Sequence, residues 1–230
     1  PAAIGNLAYD GAAHALVTAG ETAHGTVEYR LGEDDEWSAT VPSVTDSGTY
    51  SVYYRIKGDD SHSNLEAEAP ISVTVAKADV TVAAPTAKTG LEYTGEAQEL
   101  IVAGTVSVGT MQYKVGESEW SENILTATNA GTYTVEYKVV VDDNYNEPQG
   151  GSVEVVIAKA NATVTAPTAK TLTYTGSAQE LIAAGSVVGG KMQYKVGEGE
   201  WSDNIPTATN AGAYTVEYRV VADGNHNAAD

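Results

Sequence analysis

The chain has 230 residues, of which 42% are hydrophobic and 19% charged, and this is enough apolar material to build a packed core. Acidic residues outnumber basic ones 31 to 12, so the formal charge of −19 repels nucleic-acid phosphates and anionic membrane surfaces, and we expect neither as a partner. Cysteine is absent, which excludes disulfides, thiol catalysis and thiolate-bound metals.

The sequence repeats itself with a period of about 81 residues, which decides the fold before any local propensity does. Residues 93–146 and 174–227 align without a gap, and about three-quarters of them are identical. A more diverged copy opens the chain and carries one inserted residue before Trp37. Rings recur at one place per copy, which is typical of core positions, at Tyr9, Tyr93 and Tyr174, at Tyr29, Tyr113 and Tyr194, at Tyr50, Tyr133 and Tyr214, and at Trp37, Trp120 and Trp201.

Each copy contains the same series of short segments in which apolar and polar residues alternate, the pattern of a strand with one buried face. Glycine-containing turns follow the central strand of each copy and predict a hairpin before the tryptophan. No helical period persists for ten residues. The predicted strands, in chain order, are 27–31, 50–56, 69–75, 79–83, 111–115, 133–139, 152–157, 161–165, 192–196 and 214–220.

A tyrosine motif recurs before the longest strand of each copy. The motif resembles the tyrosine corner of immunoglobulin-like domains, in which a tyrosine hydroxyl bonds to backbone a few residues upstream. The core position two residues later holds valine where an antibody domain has cysteine. The three segments are 46–50, 129–133 and 210–214, and the valines are Val52, Val135 and Val216.

These patterns together predict an all-β protein of three tandem Ig-like antiparallel β-sandwich repeats that form an elongated rod. The first repeat spans 1–77 and lacks its opening strand, the second spans 78–159, and the third spans 160–230 and lacks its closing strand. The rod is expected because no flexible Gly/Ser linker separates the repeats; one closing strand runs through 76–78 into the next opening strand.

Four segments of the third copy resemble a known family: 172–181 (LTYTGSAQEL), 190–194 (GKMQY), 211–216 (AGAYTV) and 223–227 (DGNHN). They are similar to tandem bacterial Ig-like repeats of the MBG type, found in surface and adhesin proteins of gut and other anaerobic bacteria. The resemblance covers all three copies. It implies extracellular display, a multidomain parent protein and a spacer or adhesive role, and it brings no catalytic residues.

Carbohydrate binding is the alternative function, because each copy places a tryptophan after an acidic hairpin. Indole rings beside carboxylates could stack on sugars if they faced outward, whereas rings that cap the sandwich core would favour a spacer. The candidate ligand-binding residues are Trp37, Trp120 and Trp201.

The acidic loops that follow the longest strands carry oxygen ligands at alternate positions, like the start of a calcium loop. From Asp142, however, an EF-hand would require Gly and Glu where Glu147 and Val153 stand, and Asx turns account for the same residues. We therefore predict no metal or cofactor, with Ca²⁺ as the alternative. Its candidate ligands are Asp59, Asp60, Asp142, Asp143, Asn144, Asp223 and Asn225.

Catalysis is not predicted, because no Ser–His–Asp set recurs and no glycine-rich phosphate loop follows a strand. Three of the four histidines lie in the first copy, where a metal site would need them to converge. No run of 18 apolar residues is present, and neither a start Met nor a signal peptide precedes Pro1, so we expect a soluble excised or processed piece without membrane insertion.

The sequence thus predicts a noncatalytic stalk, spacer or adhesive segment of a bacterial cell-surface protein, located outside the cell. Its alternative is a multivalent module that binds carbohydrate or host proteins through avidity. The expected partners are other domains of the same parent protein, and glycans or host surface proteins under the alternative. The segment itself is expected to be a monomer.

Overall fold

The computed structural model describes residues 1–67 and 69–229, and these residues form strands and turns with no helix among them. The predicted all-β class is therefore confirmed. The strands are β1 Leu7–Ala8, β2 His14–Ala15, β3 Thr26–Leu31, β4 Ser43–Val44, β5 Gly48–Lys57, β6 Leu65–Glu66, β7 Ile71–Ala76, β8 Val82–Ala83, β9 Thr86–Ala87, β10 Leu91–Glu92, β11 Gln98–Glu99, β12 Ile101–Val102, β13 Thr105–Val106, β14 Thr110–Val115, β15 Thr126–Ala127, β16 Gly131–Val140, β17 Gly151–Ala158, β18 Ala160–Asn161, β19 Thr163–Thr165, β20 Thr168–Ala169, β21 Gln179–Glu180, β22 Ile182–Ala183, β23 Ser186–Val188, β24 Gly190–Val196, β25 Thr207–Ala208, β26 Val216–Ala222 and β27 His226–Asn227.

The chain divides into two compact units. Unit 1 comprises residues 1–84, 104–112 and 138–151. Unit 2 comprises residues 85–103, 113–137 and 152–230. The three-repeat boundaries at 77/78 and 159/160 remain a prediction.

The main sheet of unit 1 has the strand order β1-β7-β5-β3, with β6 also paired to β5. Its long strand β5 runs antiparallel to both β3 and β7, while β1 runs parallel to β7. A second layer is formed by the antiparallel pair β2–β4 and by a bridge between Ala3 and Val17. The fold of unit 1 is therefore sandwich-like.

The core of unit 1 lies between these layers. In β7 the inward residues Val73 and Val75 are buried while their neighbours are exposed, as the period-two alternation predicts. They pack with Leu16 from the second layer and with Tyr29 and Val52 from the main sheet. Burial of these β-branched and aromatic side chains supplies the main stabilisation of the sheet.

Unit 2 also contains a long antiparallel strand pair together with a set of short pairs. Strands β24 and β26 pair antiparallel over seven residues, and the short pairs β19–β23, β20–β22 and β21–β25 lie in the facing layer. Ile182, Met192 and Tyr194 form its buried cluster. In the second copy, β10 pairs parallel with β17 as β1 does with β7.

The tyrosine corners adopt the predicted hydrogen bond. The hydroxyl groups of Tyr50, Tyr133 and Tyr214 each donate to the main-chain oxygen of the residue four positions earlier, over 2.8, 2.8 and 2.9 Å. Val52 and Val135 are fully buried two residues later, whereas Val216 is only half-buried. The motif thus fixes the turn that leads into the longest strand of each copy.

Candidate functional site

The most elaborate polar contacts in unit 1 join the loop 142–146 to the tyrosine corner of the first copy. The side-chain oxygen of Asn144 accepts the backbone N–H of Ser47 at 2.7 Å, and its amide nitrogen donates to Asp46 at 3.1 Å. The Ser47 hydroxyl donates to the main-chain oxygen of Asp143 at 3.0 Å. One asparagine therefore holds residues almost a hundred positions away in sequence.

Backbone and ring contacts extend this junction. The N–H of Ala78 donates to the carbonyl of Asn144 at 2.9 Å, and the N–H of Asn146 donates back to Ala78 at 2.8 Å. The rings of Tyr9 and Tyr145 meet edge to face, with centroids 5.3 Å apart. The first copy is thus attached to the loop by polar and by aromatic contacts.

Unit 2 contains the same junction at equivalent positions. The side-chain oxygen of Asn225 accepts the N–H of Ala130 at 2.8 Å, and its amide donates to Asn129 at 3.2 Å. Tyr93 and His226 meet edge to face at 5.2 Å, as Tyr9 and Tyr145 do in unit 1. The short strand β27 pairs parallel with β18. We call these two contact sets the asparagine junctions.

The loop that presents each asparagine is shaped by an aspartate at its start. Asp142 accepts the N–H of Asn144 at 2.9 Å, and Asp223 accepts the N–H of Asn225 at 2.8 Å, which are Asx turns. These four residues are among the candidate Ca²⁺ ligands predicted from the sequence. Their oxygens serve the turn and the junction in the structure.

The Asp223 carboxylate also lies 2.7 Å from Nδ1 of His226. This hydrogen bond is the main reason that the pKa of Asp223 is lowered, and the N–H of Asn225 lowers the pKa further. At the other junction, partial burial raises the pKa of Tyr9, and its neighbours Tyr145, Asp142 and Asp46 add to that shift. The Asp223 carboxyl group and the Tyr9 hydroxyl group therefore each interact with the neighbouring groups of their own junction.

The loop of the first copy differs because Ser61 occupies the position of Asn144. There Asp59 lies 2.7 Å from Nδ1 of His62 and accepts the N–H of Ser61 at 2.9 Å. The bond to His62 is the main reason that the pKa of Asp59 is lowered, and the bond from Ser61 lowers it further. His24 stacks on His62 with ring centroids 4.0 Å apart. Asp60 is exposed beside them.

Within residues 1–67 and 69–229, one group places three histidine or acidic ligand atoms within 4.8 Å of each other: His24, Asp59 and His62. All three side chains are exposed. Two of the three histidines of the first copy thus converge, whereas His14 pairs with Asp10 instead.

The tryptophans lie on the face of the sheet opposite to the core. Arg30 and Arg55 alternate along their strands with inward residues such as Tyr29, and their guanidinium groups lie 4.6 and 4.5 Å from the Trp37 ring. Trp37 is half-buried by these cations. The structure therefore differs from the expectation that each ring caps the core.

The other two copies have the same cation–ring contacts. Lys114 lies 5.2 Å from the Trp120 ring, and Lys195 and Arg219 lie 5.2 and 4.5 Å from the Trp201 ring. Ion pairs continue these rows on the sheet surface, as with Lys195 and Glu217 at 3.1 Å. An indole with a cation over its ring is a stabilised surface group rather than an open sugar platform.

Sequence reasoning missed the corner residues that receive the asparagines, namely Asp46, Ser47, Asn129 and Ala130. The recurrence of asparagine at 144 and 225 is the available signal, but in the sequence alone it indicates a metal ligand or a turn. Only the fold brings a loop close to a corner almost a hundred residues earlier.

Comparison with known proteins gives no further assignment: no protein-family model and no curated protein matches this chain. In the described part of the chain, no helix has the length and apolar character of a membrane span.

Proposed function

We propose that the chain is a noncatalytic spacer of a bacterial cell-surface protein, built from Ig-like repeats and displayed outside the cell. The observation that carries this proposal is the recurrence of the asparagine junction. An elaborate contact that appears once could be incidental, whereas the same asparagine, aromatic pair and Asx turn appear in both units. A spacer needs this kind of repeated attachment between neighbouring modules.

The chemistry of the junction supports a restrained connection. Each asparagine makes two side-chain hydrogen bonds to the corner, and a backbone pairing and a ring contact lie beside them. A flexible linker would leave the modules free to rotate about one chain crossing, while several contacts on both sides of the crossing oppose such rotation. The connecting segments 76–78 and 158–160 contain neither Gly nor Pro.

The tryptophans support a spacer more than a binding module. Their half-buried rings carry cations over their faces, so sugar stacking would first have to displace an arginine or lysine. The formal charge of −19 favours a well-solvated segment that does not associate with itself.

The test is whether neighbouring repeats reorient together. We would measure ¹⁵N relaxation along the chain, because repeats held by the junctions share one rotational correlation time. The double variant Asn144→Ala, Asn225→Ala removes hydrogen bonds worth roughly 1 kcal/mol each and should give separate, shorter correlation times. The matched control is Asn123→Ala, Asn204→Ala, which truncates two exposed asparagines at the same 81-residue offset.

Independent tumbling of the wild-type repeats would contradict the spacer proposal, as would relaxation that is unchanged in the junction variant. A second arm screens the chain against glycans, mucins and matrix proteins, with calcium and with a chelator. Saturable binding that is lost in a folded Trp120→Ala, Trp201→Ala variant would replace the spacer by a binding module.

A further inference from the structure

A cleft of about 530 Å³ opens in unit 2 beside the start of β26. One wall is formed by the segment around Leu172 and Tyr174, and the opposite wall by Tyr214, Val216 and Tyr218. Its floor includes Leu181. The lining combines apolar and aromatic side chains with polar ones such as Lys170, Gln179 and Asn210, and its accessible surface is at least as polar as it is apolar.

The apolar side chains of this cleft are well exposed. Leu172 is 41% exposed, Tyr174 64%, Tyr214 41% and Tyr218 45%. A contiguous exposed apolar surface is typical of an interaction site, whereas apolar residues scattered singly over a surface are ordinary. The cleft therefore has the character of a binding surface.

The equivalent side chains elsewhere in the molecule are covered. Leu100 and Val135, 81 positions before Leu181 and Val216, are both fully buried. In unit 1 the corresponding residues Leu16 and Val52 are fully buried as well. The same residue types at the same repeat positions are thus buried twice and accessible once.

The element that covers them is a single strand. In unit 1 it is β7, whose inward Val73 and Val75 are 3% and 1% exposed; in the second copy it is β17, whose inward Val155 and Ile157 are both 1% exposed. The outward positions between these residues are exposed and differ between the two strands. Only the alternating β-branched residues are common to both.

The strands beside the cleft have edges with which a covering strand can pair. Strand β5 begins at Gly48, which pairs with Val75 of the covering strand β7. Strand β16 begins at the equivalent Gly131 and is the neighbour of the covering strand β17, whereas β26 begins only at Val216. Among the described residues, the sheet that contains β26 has one partner strand, β24. A strand edge with free main-chain groups accepts another strand by hydrogen bonding.

We propose that this cleft, hereafter the strand cleft, is a binding site for one extended peptide strand with β-branched apolar residues at alternate positions. The peptide would run antiparallel to residues 212–216 and parallel to residues 172–173. Its main chain supplies the affinity through strand pairing, and its alternate side chains fill the apolar floor.

The register of the bound strand follows from the covered copies. Val75 lies opposite Gly48 and Ile71 opposite Val52 in unit 1, and Ile157 lies opposite Leu91 in the parallel pair β10–β17. A peptide with the sequence of 150–159 would therefore place its Ile157 residue opposite Leu172 and Gly212, and its Val153 residue opposite Val216. This proposal does not rest on the spacer function.

The first test adds a synthetic peptide with the sequence of residues 150–159 to the ¹⁵N-labelled full chain. We expect saturable shifts confined to residues 172–174 and 212–218. A peptide with lysine at the Val155 and Ile157 positions should bind at least about tenfold more weakly, because charged side chains replace the two apolar ones that would be buried against the floor.

Variants of the chain locate the site. Leu172→Lys combined with Tyr174→Ser changes two exposed positions, so the fold should persist while peptide binding is lost. Val188→Lys is the matched control, since Val188 is 68% exposed and lies on β23, away from the strand cleft. Equal binding of the two peptides, or binding that survives the Leu172→Lys, Tyr174→Ser change, would overturn the proposal.

The second test supplies the strand in the same molecule, by extending the chain after Asp230 with the sequence of residues 150–158. Amide exchange of residues 212–216 should slow by at least about tenfold, and the thermal midpoint should rise by about 5 °C. The doubly lysine-substituted extension should change neither. The proposal fails if neither peptide nor extension protects residues 212–216, or if light scattering finds a dimer that buries the strand cleft, which would make a second copy its occupant.

Discussion

Asparagine is the residue that both junctions require, because its amide carries a donor and an acceptor on one short side chain. Asn144 accepts a backbone N–H and donates to the carboxylate of Asp46, while Asn225 accepts a backbone N–H and donates to the amide of Asn129. Aspartate could accept the N–H but would repel Asp46. Serine, which stands at position 61, lacks the reach to bond two groups of a corner.

The pKa of Asp223 leads to a pH prediction at the residue scale. Its pKa lies below the ordinary value of 3.8, mainly through the bond to His226, so its contribution to stability is present above pH 3.8 and is lost as the pH falls through the lowered pKa. We expect the amide resonances of Asn225 and His226 to titrate together below pH 3.8. NMR titration measures this directly.

Asp223→Asn is the control for that titration, because it keeps an acceptor for the Asx turn but removes the ionisable group. The low-pH transition of the Asn225 amide should then disappear. A low-pH transition of the Asn225 amide that survives in Asp223→Asn would contradict the assigned hydrogen bond.

At the scale of the element, the covering strand decides how much a core valine contributes. Val135 is fully buried beneath the second copy's sheet and Val216, at the equivalent position, is half-buried beside the strand cleft. Val135→Ala should lower the local free energy of unfolding by about 2 kcal/mol, and Val216→Ala by less than half of that. Native-state hydrogen exchange of β16 and β26 measures both changes.

Exchange is preferred to a single melting curve because the sheets can open separately. Alanine at Val52, which is fully buried in unit 1, provides the second covered case and should resemble Val135→Ala. Equal losses at Val135 and Val216 would mean that the covering strand does not set the contribution of this position.

The strands with one buried face were predictable, because a period of two is visible in a single sequence. The predicted 133–139 and 152–157 lie inside the observed Gly131–Val140 and Gly151–Ala158. The predicted 79–83 is observed only as Val82–Ala83 at its end, since a short edge strand pairs over few residues. Residues 214 and 215 fall outside β26 because strand assignment needs a paired neighbour, which alternation alone does not report.

The candidate site was less predictable, for reasons of distance and direction. The tyrosine corner could be inferred because donor and acceptor are four residues apart in the chain. The asparagine junctions join residues almost a hundred positions apart, and no local pattern gives that pairing. The sequence also does not show on which face of the sheet each tryptophan ring lies, since an indole after a turn can fold toward either face.

For the whole molecule, the excess of carboxylates outweighs the ion pairs. Several lysines are already paired with glutamates, as Lys88 is with Glu99 and Lys170 with Glu180, both at 2.6 Å. Exposed pairs of this kind contribute little. The remaining acidic groups repel one another across a chain with a net charge of −19 and oppose compaction.

Salt should therefore stabilise the protein, the opposite of what surface ion pairs alone would give. Raising NaCl from about 20 to 500 mM shortens the Debye length from roughly 20 Å to about 4 Å, and we expect the thermal midpoint to rise by a few degrees. The variant Asp34→Asn, Asp35→Asn removes two exposed charges from the acidic turn of the first copy. It should melt higher at low salt and respond less to added NaCl. A midpoint that falls with salt would show instead that the ion-pair rows along the sheets outweigh the carboxylate repulsion.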